Sequence, residues 1–138
     1  MELHLKIIGW LLILLSAIHL LFPRYFKWKE ELNEIGLINK QMMYVHTLFI
    51  ALTVCIMGIL CVTSALDILT TSLGKKLSLC FAVFWIVRLL VQFFGYSSVL
   101  WKNKLFETIV HILFSIFWIY MSYVFLKIYF INPAGMQY

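Results

Sequence analysis

Charged residues make up only 12% of this chain, against about a quarter of an ordinary soluble domain. A soluble fold of 138 residues leaves much of its surface in water, and this sequence lacks the charge to cover such a surface. Cysteine is sparse too. Cys55, Cys61 and Cys80 fall inside apolar segments with no CxxC spacing, which excludes a dithiol redox centre and a disulfide framework. Cys55 and Cys61 would stand roughly 9 Å apart along a helix, beyond disulfide reach, and all three read as small core residues. HExxH, GxxxG, glycine-rich phosphate loops, serine or cysteine nucleophile arrangements and paired catalytic carboxylates are all missing. No local motif names a reaction.

What is present is apolar: 64% hydrophobic residues and a mean hydropathy of +0.98. Four stretches, 5–22, 42–66, 77–96 and 105–126, are each long enough to cross about 30 Å of hydrocarbon. The second has no charge at all. The first has a basic residue, Lys6, ahead of an apolar run, as a signal peptide does, but the Ser16-Ala17-Ile18-His19 continuation lacks a small-x-small cleavage pattern. It is expected to stay as a helix. The expected fold is all-α, an integral membrane antiparallel four-helix bundle forming a single domain over 1–138.

The one sizeable connection, 23–40, mixes Phe26, Trp28, Leu32 and Ile35 with Lys27, Lys29, Glu30, Glu31 and Glu34 in a rough helical rhythm, which suits a short interfacial helix. Pro23 is expected to close the first helix, Gly36 to end the interfacial one and Asn39 to cap the second span. The net charge of +5 does not indicate nucleic acid, because the eleven basic residues are scattered between apolar spans. Arg24, Lys27, Lys29, Lys40, Lys102 and Lys104 fall on the side of the first and third connections, and Lys6, Lys75, Lys76 and Lys127 on the side of the termini. Four spans put both termini on the same side, and the positive-inside bias, six basic residues against four, puts that side outside the cytoplasm, with the chain expected in a cytoplasmic (inner) membrane.

Polar residues inside the spans follow helical spacing. Trp85, Arg88, Gln92 and Tyr96 stack on one face of the third span, and Glu107, His111, Ser115, Trp118 and Ser122 on one face of the fourth. Asn39, His46 and Thr53 recur at sevens in the second span, while Ser16 and His19 stand three apart in the first. Each stripe can point into a bundle, and His19, His46, Gln92 and His111 share a depth of roughly 5–8 Å from one boundary.

Two chemistries follow from that level. Arg88, Gln92, Glu107, Trp85 and Tyr96 form candidate contacts for a small amphiphilic or anionic ligand, since an arginine near mid-span with no acid at its depth suits a carboxylate or phosphate. His19, His46 and His111 form candidate ligands for heme or a transition metal, the basis of an alternative reading as a membrane enzyme or electron carrier. The bland alternative is hydrogen bonding that glues helices together, each bond worth about 1 kcal/mol, in a structural subunit of a membrane complex or a homo-oligomer. Among four-helix membrane families, the vitamin K epoxide reductase type needs a CxxC and the small multidrug exporters a carboxylate in the first span; neither is present.

Single cysteines at Glu30 and Asn103, in a background without the native cysteines, should label from the same side of the membrane, and one at Ser72 from the opposite side. Different sidedness at positions 30 and 103 would mean that a span has been misassigned.

Overall fold

The computed structural model describes residues 1–95, 97 and 104–131. In chain order its helices are α1 (Glu2–Tyr25), α2 (Trp28–Glu31), α3 (Leu37–Thr63), α4 (Ala65–Thr70), α5 (Ser72–Phe94) and α6 (Leu105–Ile131). Every regular element among the described residues is helical. Four of them, α1, α3, α5 and α6, are long and apolar enough to cross a membrane. At 23 to 27 residues each spans about 35–40 Å, enough for the hydrocarbon and part of the headgroup layer.

Only 28–33% of the most apolar stretch of each span is buried, and side chains such as Leu113 (64% exposed) and Ile116 (61%) face outward. Apolar surface on this scale is stable only in lipid. The chain is an all-α, multi-pass integral membrane protein, a transmembrane helical bundle, as its composition implies.

The helices run further than the apolar stretches indicate. Pro23 does not close α1, which continues to Tyr25. A proline in the last turn removes a single backbone bond; the helix ends two residues later at Tyr25, and the chain turns left-handed at Lys27 (φ 47°). The interfacial helix shrinks to the four residues of α2, bounded by that left-handed Lys27. Gly36, expected to end it, instead precedes α3 in an extended conformation (φ −55°, ψ 145°), so Asn39 lies within the first turn rather than at the cap. The connection folds back on α3: Lys40 Nζ donates to Asn33 Oδ1 at 2.8 Å, and the Trp28 ring meets Tyr44 edge-on at 5.4 Å. The second span ends at Thr63, three residues short of the apolar stretch, because Ser64 leaves helical geometry and α4 begins at Ala65. The Thr71 hydroxyl then accepts from the Gly74 N–H at 2.9 Å and caps α5.

By backbone proximity the chain divides into two compact units, residues 3–65 and residues 66–138 with 1–2. In the first unit α1 buries Leu5, Ile8, Gly9, Leu12, Leu15 and Ser16, a single face at helical spacing. α3 answers with Ala51, Val54, Met57, Gly58 and Cys61. The two backbones touch at glycine: a Cβ on Gly9 would lie 2.7 Å from the Gly58 carbonyl oxygen, and one on Gly58 would lie 2.8 Å from that of Gly9. Gly9 faces Cys61 and Val62 while Ile13 faces Gly58, so partners descend along α3 as positions rise along α1, and the pair is antiparallel.

Gly58→Ala and Gly9→Ala should each destabilise the detergent-solubilised protein by about 1–3 kcal/mol, read as a lowered Tm, because the obstructing atoms are backbone and the helices must part. Gly36→Ala, with nothing within 4 Å of the new methyl group and an ordinary negative φ, should change Tm little.

Candidate functional site

In the second unit, α5 and α6 pack through rings. Along α5 the contacts are Lys75 Nζ over Tyr129 at 5.3 Å, Phe81 against Phe125 at 5.3 Å, Trp85 against Trp118 at 4.9 Å and Phe93 against His111 at 5.8 Å. Partner numbers fall along α6 as they rise along α5, so this pair too is antiparallel. At its centre the Trp85 and Trp118 indoles lie parallel, 7° between planes, and are 2% and 3% exposed. Phe84 closes edge-on against Trp85, and Phe114 stacks on Trp118 at 5.5 Å. Such ring pairs contribute about 0.5–1.5 kcal/mol each beyond the area they bury.

One turn from Trp85, the half-buried Arg88 places its guanidinium carbon 5.2 Å from the Trp118 ring centroid. The ring's negative face offsets part of the cost of holding a cation in a span. Arg88 Nη1 also donates to Gln92 Oε1 at 3.0 Å, four residues on along the same helix face. Gln92 is buried, and its backbone carbonyl lies 3.4 Å from His111 Nε2, so a proton on that nitrogen points the imidazole across from α6 to α5. The Ser115 hydroxyl returns to the His111 carbonyl at 2.8 Å. The stripe of α5 from Trp85 to Gln92 and the stripe of α6 from His111 onward therefore face the same contact.

Three buried side-chain polar atoms in this pair make no hydrogen bond: Trp85 Nε1, Trp118 Nε1 and Ser122 Oγ. An indole N–H only donates, and leaving it unsatisfied away from water costs about 1–3 kcal/mol. Trp118 and Ser122 lie outside the ligand-contact set drawn from the sequence, although their spacing from His111 put them on its stripe. The sequence counted both among the polar residues of that stripe and had no sign that they, rather than Glu107, would be buried against α5.

Glu107 is exposed in the first turn of α6 and takes no part in the ring contact, and Tyr96 lies outside the described residues. His19, half-buried on α1, has Nδ1 2.8 Å from the Leu15 carbonyl of its own helix and its ring 4.8 Å from Phe22. His46 is exposed, as are Asn39 and Thr53, so the polar stripe of α3 faces outward rather than into the bundle. The face that α3 buries is instead Ala51, Val54, Met57, Gly58 and Cys61, and the Thr53 hydroxyl is satisfied by the Phe49 carbonyl at 2.8 Å. Among the described residues no group of three His, Cys, Asp or Glu side chains is placed to hold a metal ion.

The chain matches no family model, no curated protein and no solved structure. What it does must be read from this geometry.

Trp118→Ala should cost about 3–5 kcal/mol, since it removes the stack with Trp85, the Phe114 contact and the support under Arg88 at a site that is 3% exposed. Trp10→Ala, at a lipid-facing position 64% exposed, should cost far less. Thermal unfolding of the two variants in the same detergent makes the comparison.

Proposed function

We propose that this membrane protein binds a small amphiphile whose acidic head group is held at the α5–α6 contact by Arg88, with Gln92, Trp85 and Trp118 around it. The observation that carries this reading is the make-up of the cluster. Trp85, Arg88, Gln92, His111, Ser115, Trp118 and Ser122 bring together a guanidinium and several donors without a carboxylate side chain among them. A planar guanidinium is matched by a carboxylate or phosphate, which it binds through two parallel hydrogen bonds. The low dielectric of a span strengthens that attraction well beyond its value in water. The apolar tail of such a molecule finds its solvent in the bilayer.

By the bias of its basic residues, the end of the spans nearest Arg88 faces the cytoplasm. An acidic amphiphile of the inner leaflet then reaches Arg88 without crossing the hydrocarbon.

Binding is tested with oleate and dioleoyl phosphatidic acid titrated onto detergent-purified protein, read by thermal shift and native mass spectrometry. The wild type should be stabilised by at least one of them. Arg88→Leu should weaken binding about tenfold or more while keeping the Tm of ligand-free protein within a few degrees, because charge-assisted bonds to the ligand are lost and a costly intramembrane charge is removed. Arg88→Lys should restore only part of the affinity, having charge without the bidentate fork. A large fall in ligand-free Tm with affinity unchanged would assign Arg88 to helix packing instead.

A further inference from the structure

The cluster contains two levels. Arg88, Gln92 and His111 are linked to one another, whereas Trp85 Nε1, Trp118 Nε1 and Ser122 Oγ are buried without partners. Trp118 lies seven residues beyond His111 along α6, and Trp85 seven before Gln92 along α5, so the indoles are about 10 Å deeper in the membrane than Gln92 and His111, with Arg88 between the two levels. Near mid-span no water is at hand to satisfy these groups, and unlike Ser115, which donates to a carbonyl of its own helix, they reach no such acceptor. Two of the three groups, the indoles, can only donate. The partner that suits them is an acceptor, and the acceptors compatible with hydrocarbon depth are uncharged carbonyl-type oxygens.

Building on the reading of this contact as a site for an acidic amphiphile, we infer that the bound molecule carries a second recognition element. This is an ester-type carbonyl oxygen that accepts from the indole N–H of Trp85 or Trp118, with the Ser122 hydroxyl as a further donor. The spacing supports the pairing of the two elements. Arg88 Cζ is 5.2 Å from the Trp118 ring, so a molecule whose acid engages the guanidinium presents its next few bonds to the indole pair. An acidic glycerolipid has that order of groups, phosphate and then ester carbonyls, before its chains. A simple fatty acid has the acid alone. The parallel stack holds both indoles in place, so their N–H groups are positioned before a ligand arrives and lose little entropy on binding.

The test uses wild-type protein in nanodiscs of neutral diether lipid and compares dioleoyl phosphatidic acid with its diether analogue, which keeps the phosphate and lacks the carbonyls. Affinity is read by competition. The indole N–H resonances are followed by nitrogen-proton NMR and assigned with Trp85→Phe and Trp118→Phe. The diester should bind about three- to tenfold more tightly than the diether, the effect of one hydrogen bond. It should also move the Trp85 or Trp118 N–H resonance downfield, which the diether should not. In Arg88→Leu both lipids should weaken while the preference for the diester persists. Equal affinities with no indole shift would overturn the carbonyl contact and leave the acidic-head reading standing. Failure of both lipids to bind would overturn that reading as well. Indole shifts with a neutral long-chain quinone, and binding of neither phosphatidic acid, would overturn both the acidic head and the ester carbonyl in favour of a neutral carbonyl ligand.

Discussion

Hydrocarbon offers no hydrogen bonds, and most of the polar arrangement among the described residues of the spans follows from that. The backbone closes its own bonds in four long helices. Short hydroxyls follow the same rule locally: Thr53, Thr63, Ser78 and Ser115 each return to the carbonyl four residues earlier. Larger polar groups cannot all be satisfied within one helix. Arg88 reaches Gln92 along α5 and the Trp118 ring on α6, and His111 reaches the Gln92 carbonyl from the opposite side of the contact. The α5–α6 contact is thus where polar chemistry that one helix cannot satisfy collects.

The two helix pairs solve the packing problem differently. α1 and α3 meet backbone to backbone at Gly9 and Gly58, with no room for even a methyl group between them. Without a hydrophobic driving force between helices in lipid, such close approach gains dispersion contacts along the whole seam. α5 and α6 are instead separated by ring pairs, from Phe81 and Phe125 through Trp85 and Trp118 to Phe93 and His111. Rings with polar edges bring donors into the contact that glycine could not. The buried donors of the described residues therefore lie in the second pair.

The indole stack also explains how an arginine is tolerated in a span. A guanidinium over an aromatic face is partly desolvated at low cost, and its fork remains oriented by Gln92. Held in this way, the guanidinium keeps the fixed orientation that the proposed binding of an anion requires.

The sequence by itself determined the spans, because crossing a bilayer demands a length of uninterrupted apolar chain, a one-dimensional property. It also determined the spacing of Trp85, Arg88 and Gln92 and of His111, Ser115, Trp118 and Ser122, since helical periodicity places such residues on common faces. It could not say which way each face turns. The stripe of Asn39, His46 and Thr53 is as regular as the others and points outward, because α3 presents its small residues to α1 instead. Nor could it separate Glu107, exposed one turn before His111, from the residues that meet α5. It did not single out the unsatisfied indoles, whose significance depends on being buried against each other. Periodicity fixes an angle about a helix's own axis, and only packing against a neighbour decides which angle is inside.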